Sequence, residues 1–276
     1  MFRPPPPPVA LTIAGSDPSG GAGLQADLKT FHQFGVYGTS VVTLVTAQNT
    51  TRVDRVECLS PNLVRDQLRA VLDDLPPAAA KTGALGSREV IETVVDLLAG
   101  TSFPLVVDPV MISKHGASLL AGSGPLRLLF PRATLVTPNL HEAAALAGIE
   151  IHDLAGMREA AQRLAALGAR AVLVKGGHLA GDAIDGLLAG GVWEEFPAPR
   201  IPTRHTHGTG CTYSAAITAG LAHGQPLRDA VERAKRFISE AIRTNPGLGS
   251  GSGPVNHHAA LSGDALSGAA LSGDDG

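Results

Sequence analysis

The chain has 276 residues, 44% hydrophobic and 17% charged, with a net charge of −3 and 4% aromatics. Such a composition builds a sizeable globular core and excludes the basic footprint and stacking platforms of a nucleic-acid binder. Its two cysteines, Cys58 and Cys211, exclude a disulfide framework and fit a reducing, cytoplasmic setting.

In chain order, residues 1–8 carry five consecutive prolines. This predicts a Pro-rich disordered tail, not the apolar helical region of a signal peptide. No window approaches the roughly 20 apolar residues of a membrane span, so no membrane partner is expected. From Val9 onward, strand-like runs alternate with helical patterns. VALTIAG precedes AGLQADLKTFHQFG, TSVVTLVTAQ follows, and PLVVDPV, ATLVTP and RAVLVKGG come later. Each run is short, apolar and bounded by Gly, Pro or Asp, the rhythm of a mostly parallel sheet with helices on both faces. GDAIDGLLAGGVWEEFPAP reads as two strands about Ala189-Gly190-Gly191, an edge β-hairpin. The expectation is one domain over residues 9–258, a three-layer α/β/α sandwich. Residues 259–276, ALSGDALSGAALSGDDG with one preceding residue, form a low-complexity segment with too little apolar surface to pack.

In such folds ligands bind beyond the carboxyl ends of the strands. Polar groups cluster at five of these ends: Gly15-Ser16-Asp17, Gln48-Asn49, Asp108-Pro109, Thr137-Pro138-Asn139 and Lys175-Gly176-Gly177. The P-loop pattern fails because Gly21 stands where its lysine belongs. GAGLQA fits a dinucleotide fingerprint, yet it starts too far from the strand end, and no acidic residue closes the next strand to hold a ribose. The late stretch HTHGTGCTYSAA passes the same tests. Gly208, Thr209 and Gly210 precede a run of small residues with helical tolerance, so backbone N–H groups and a helix N-terminus can hold an anion. A thiol at Cys211 beside that terminus is expected to have a lowered pKa.

Six segments in this order, LTIAGSDPSGGAGLQADLKTF, TLVTAQNT, VVDPVM, LVTPNLHEA, VLVKGGH and HTHGTGCTYSAA, resemble the hydroxymethylpyrimidine/phosphomethylpyrimidine kinases of thiamine biosynthesis, in the ribokinase-like superfamily. The resemblance implies ATP-dependent, Mg²⁺-assisted phosphorylation of an aminopyrimidine hydroxymethyl group, then of the monophosphate, by a cytoplasmic homodimer. It implies an anion hole at Gly208, Thr209 and Gly210, with Cys211 taking the hydroxyl proton or helping to hold the anion. Gln48 is the implied pyrimidine reader, its carboxamide pairing a donor and an acceptor with the ring. Asp27, Gly15, Ala22 and Val110 complete the substrate subsite. Asp27 serves equally as a first-turn aspartate favoured by the helix dipole. Lys175, Asn139 and Thr137 are implied for ATP, and Glu142 and Asp108 for Mg²⁺, partly through water. Asn139-x-x-Glu142 also has the spacing of a capping box. The chain departs from the pattern at Ala84, Arg204 and His205. Pyridoxal kinase is the nearest alternative activity, and a non-catalytic ligand-binding relative is another.

Overall fold

The computed structural model describes residues 5–111, 116, 119, 124–177, 179 and 181–261. The chain runs β1 (Val9–Ser16), α1 (Gly23–Gln33), β2 (Tyr37–Gln48), β3 (Val53–Cys58), α2 (Pro61–Asp74), β4 (Ala79–Thr82), α3 (Arg88–Leu98) and β5 (Leu105–Val107). A 3₁₀ segment, Gly124–Arg132, leads into β6 (Leu135–Val136), α4 (Leu140–Ala147), α5 (Leu154–Ala166), β7 (Ala171–Val174), β8 (Asp185–Ala189), β9 (Val192–Phe196), α6 (Thr209–Ala222) and α7 (Leu227–Arg243). The strands form one sheet in the order β3-β2-β1-β4-β5-β6-β7-β8-β9. Its six middle members are parallel, whereas β3 on one margin and β8 and β9 on the other are antiparallel to their neighbours.

The parallel strands are apolar on both faces, and side chains alternate between two cores. Leu11 and Ile13 join one cluster and Ala10 the other; Leu105 and Val107 oppose Val106; Val172 and Val174 oppose Ala171 and Leu173. That is the period of two expected of a doubly covered sheet. Helices α2, α3, α4 and α5 close the first face and α1, α6 and α7 the second, which makes three layers. Helix α6 is buried from Thr212 to Ala222. Its small side chains allow it to pack against β1, β4 and β5 with α1 and α7 over it.

Strand β3 has no counterpart in the sequence reading. Its residues are mostly exposed, and the ion pairs Arg52–Asp54 and Arg55–Glu57 keep this edge charged, a usual protection of an unpaired strand edge. Packing also continues beyond residue 258. Ala259 is buried in the second core with Leu261 beside it, and Gln33 donates to the Ala259 carbonyl at 3.0 Å. Residues 1–4 and 262–276 of the two expected tails lie outside the described residues. No helix among the described residues is long and apolar enough to cross a membrane.

Candidate active site

A cavity of about 770 Å³ follows the carboxyl ends of the parallel strands. Gln48 closes β2 and Lys175 follows β7, five strand steps away, or roughly 24 Å at the usual strand spacing. The amino end of α6 stands between them, over β4 and β5. The cavity therefore has two ends and a middle.

In the middle, Gly208 caps α6 with a left-handed backbone (φ 79°) and no side-chain hydrogen bond. A Cβ at Gly208 would lie 1.7 Å from the Gly21 carbonyl oxygen, and one at Gly21 would lie 2.5 Å from His207 Cδ2. The glycines at 21 and 208 thus let two loops meet backbone to backbone. Ala22, implied by the resemblance for the substrate subsite, follows Gly21 in the first of these loops. Thr209 turns back, its N–H donating to the Thr206 carbonyl at 3.3 Å and its hydroxyl to the same oxygen at 2.8 Å. Cys211 follows in the first helical turn and lines the cavity. Burial pushes its thiol up to about 12; Asp27 and Asp108 add to the rise, against the Lys81 charge and the Gly23 N–H. The expected lowering at a helix N-terminus is corrected: desolvation of the thiolate raises the group instead.

One end is ionic. Lys175 Nζ donates to Asp108 Oδ1 at 2.9 Å, and Ser214 donates to Asp108 Oδ2 at 3.2 Å. Burial works against the Asp108 charge, but Lys175, Lys81 and the Ser214 bond hold its carboxyl below the usual range. A Cβ on Gly210 would sit 3.2 Å from Lys175 Nζ, so the α6 turn and this lysine share one spot. Asn139 and Glu142 form a complete capping box at α4, with bonds of 2.9 and 2.8 Å. Burial raises Glu142 to about 7; Lys175 opposes the rise and Asp108 adds to it. Thr137, expected at the nucleotide, instead stands behind the wall: it is 1% exposed and donates to Asp108 Oδ1 at 3.3 Å. Among the described residues no three His, Cys, Asp or Glu side chains converge into a metal cage. Mg²⁺ usually keeps several waters and needs only one or two carboxylates beside phosphate oxygens. Asp108 and Glu142, two oxygen donors flanking Lys175, fit that requirement.

The other end is a neutral, hydrogen-bonded pocket. Gly15, Ala22, Gln48, Val110 and Ala84 all line the cavity, whereas Arg204 and His205 do not. Asp17 is 4% exposed and accepts from the Ser19 and Ala22 N–H groups, from the Ser19 hydroxyl, and from His207 Nε2 at 2.7 Å. Burial opposes its charge, but the His207 and Ser19 bonds keep the carboxyl below its usual value. Gln48 lies next to His207. Asp27 borders the cavity yet has no exposed surface; both oxygens are taken, by Lys81 at 2.6 Å and Thr12 at 2.6 Å. It lies past the first turn of α1, which holds no acidic residue, so Lys81, not the helix dipole, accounts for it.

Sequence reasoning placed Asp17 at a strand end without giving it a role, and passed over Lys81, His207, Asp185 and Lys235. Lys81 had one signal, a charge inside the fully buried strand AAKT, which demands a partner. Its Nζ also reaches the Cys211 carbonyl at 3.4 Å. Burial pulls against the Lys81 charge, yet Asp27 and Asp108 hold it above the usual lysine value. Asp185 fixes the turn after Lys175 by accepting from the Gly176 N–H at 2.9 Å, and Lys235 neutralises it at 2.7 Å.

The phosphomethylpyrimidine kinase family matches residues 17–256. A hydroxymethylpyrimidine/phosphomethylpyrimidine kinase of Streptomyces coelicolor is 51% identical over 258 residues, which are 92% of this chain and 96% of that protein. Among solved structures, an ADP complex of Bacillus subtilis pyridoxal kinase superposes with a TM-score of 0.84 at 39% identity, covering 92% of this chain and 98% of that one. A phosphomethylpyrimidine kinase of Clostridium difficile gives 0.76 at 44% identity, covering 85% and 99%.

Proposed function

This chain belongs to the phosphomethylpyrimidine kinase family, and on that premise we propose that it phosphorylates 4-amino-5-hydroxymethyl-2-methylpyrimidine with ATP, first to the monophosphate and then to the diphosphate. The observation that carries this reading is the order along the cavity: carboxamide Gln48, then the glycine-capped N-terminus of α6, then Lys175. The ring binds at Gln48 with Gly15, Ala22 and Val110 beside it. Its hydroxymethyl group then faces Cys211, and the nucleotide lies at Lys175 and Asn139. Phosphoryl transfer needs positioning and charge stabilisation above all. Backbone donors at Gly208 and Gly210 and the positive end of α6 supply it, the Thr209 N–H being taken by the Thr206 carbonyl; removing one such donor costs about 3–4 kcal/mol in comparable sites. Asp108 and Glu142 would hold Mg²⁺, in part through water; the ion neutralises charge on the phosphate oxygens when bound. The homodimer and the cytoplasmic setting implied by the resemblance belong to the same reading.

Cys211, in this proposal, receives the hydroxyl proton. A second reading is favoured by the thiol being pushed up to about 12: as a thiol, Cys211 donates its S–H to the transferred phosphoryl group. Coupled ADP release should show turnover with hydroxymethylpyrimidine and with its monophosphate, each well above turnover with pyridoxal. Turnover with pyridoxal alone would reject the pyrimidine assignment, and no turnover with any of the three would reject kinase activity.

A further inference from the structure

The contact between Gln48 and His207 is a conflict of donors. As placed, Gln48 Nε2 lies 3.2 Å from His207 Nε2. Asp17, a buried carboxylate, only accepts, and it takes His207 Nε2 at 2.7 Å. The proton on Nε2 is therefore committed, in the neutral ring and in the charged one alike. No lone pair remains on that nitrogen for Gln48. A half-turn of the carboxamide, which exchanges atoms of nearly identical shape, removes the conflict. Oε1 then faces the His207 N–H in a three-centre bond. The amide nitrogen moves to the place now held by Oε1, 3.4 Å from Thr46 Oγ1. Thr46 donates its own proton to the Ser16 carbonyl at 3.0 Å, so its oxygen is available as an acceptor. Every hydrogen bond from His207 to Ser16 then runs in one direction, away from the imidazole ring.

We propose that His207, anchored by Asp17, is a positioning residue that fixes which way round the Gln48 carboxamide faces the cavity. This rests on the reading of Gln48 as the ring's recognition group. The locked amide keeps one acceptor and one donor site for the ligand, in a set order. Turning the ring over would carry its hydroxymethyl group away from Cys211, so the ligand cannot adapt by inversion. The pair Asp17–His207 thereby selects an amino group beside a ring acceptor, and rejects a carbonyl beside a ring N–H. Without the lock the amide turns to suit either. His207 immediately precedes the Gly208 cap, and its backbone is held by the Gly253 carbonyl at 3.0 Å and the Val255 N–H at 3.3 Å. The same residue that orients the amide is thus fixed to the anion turn.

The test compares kcat/KM for 5-hydroxymethyl-2-methylpyrimidine bearing a 4-amino or a 4-oxo group. The unmodified enzyme should prefer the amino compound by about 100-fold or more, as sites built around a donor–acceptor pair do. His207→Leu and Asp17→Asn should each reduce that ratio at least about tenfold, chiefly through KM for the pyrimidine, with KM for ATP unchanged. His207→Gln, whose amide places a donor where Nε2 stands, should keep the ratio within about threefold. Asp17→Asn carries the test if melting shows that His207→Leu does not fold. Ratios unchanged in His207→Leu and Asp17→Asn, alongside a ratio abolished by Gln48→Leu, overturn the proposal and leave Gln48 as reader. A ratio unchanged in Gln48→Leu removes the reader itself and the proposal with it.

Discussion

The two ends of the cavity solve recognition differently. At the Lys175 end, selectivity is a matter of charge: Lys175, Asp108 and Glu142 are buried together, and each needs the others to stay in its working state. At the Gln48 end the group read as ligand-facing is a neutral carboxamide, and the Asp17 carboxylate is engaged by His207 beside it. A buried ionic cluster binds phosphate strongly with little regard to what the phosphate is attached to. A carboxamide with defined polarity contributes less energy but separates closely related rings. In the proposed reaction the chemistry, at Cys211 and the α6 turn, falls where the two meet.

The largest expected effect lies at that meeting point. Cys211→Ala should lower kcat by roughly 10²–10⁴-fold, the scale of a lost proton acceptor, with both ends still binding. If Cys211 is the acceptor, Cys211→Asp retains much of the activity and Cys211→Ser little; if the thiol is an anion donor, the order reverses. With the thiol pushed up to about 12, a base role also makes kcat rise about tenfold per pH unit through the neutral range, since the thiolate fraction does. A flat profile with an active Cys211→Ser enzyme would remove the base.

Lys175→Met comes next and probes the ionic end alone. It leaves Asp108 buried without its main partner, a loss on the order of 3–5 kcal/mol in stability. KM for ATP should rise, while KM for the pyrimidine stays within about twofold. Adding Asp108→Asn should recover part of the melting temperature by removing the stranded charge. If Lys175→Met impairs pyrimidine binding as much as ATP binding, the two ends are not separate.

Acid stability distinguishes the segment that supports the neutral end. Gly253 and Val255 bond to the His207 backbone, and His257 Nε2 shares a hydrogen bond of 3.1 Å with the Thr212 hydroxyl. Burial, with Lys29 and His258 nearby, depresses His257 to about 4 from 6.5. Above pH 6.5 the ring is neutral in both folded and unfolded chains, and it costs nothing. As pH falls from 6.5 towards 4, the unfolded chain takes up a proton that the native one refuses. Stability drops, by about 3 kcal/mol at the lower limit. His257→Gln, whose amide offers Thr212 both a donor and an acceptor, should flatten the stability curve across that window in urea titrations. A parallel curve would mean that His257 does not titrate as its surroundings require.

Much of this arrangement could be read from sequence, because strand ends are local signals. Gln48, Asp108, Asn139 and Lys175 stand where the apolar runs stop, and the cavity lies there. The glycine turn before α6 was equally legible. Position at a strand end does not say which way a side chain points, so Thr137 was assigned to the nucleotide although it stands behind Asp108. Burial is likewise not local, and the Cys211 thiol moved opposite to the expectation. Asp17 and His207 are 190 residues apart, and nothing in either neighbourhood announces the pair. Strand β3 was passed over because an exposed edge carries charges where a buried strand carries an apolar run.

The smallest effect is the one that measures the neutral end directly. Gln48→Leu removes a donor and an acceptor while keeping approximate side-chain volume, so the pocket keeps its shape. The loss in transition-state stabilisation should be about 1–3 kcal/mol, because the amide is half-buried and neutral. It should appear in kcat/KM for the pyrimidine and leave KM for ATP within about twofold, the mirror image of Lys175→Met. Combined, the two substitutions should add in free energy, since they act across several strands and share no partner. Additivity within about 0.5 kcal/mol supports two independent ends. A markedly smaller combined loss would show that the ends communicate through the α6 turn, where Gly208 meets Gly21 and Gly210 meets Lys175, and the division by chemistry drawn above would give way to one continuous site.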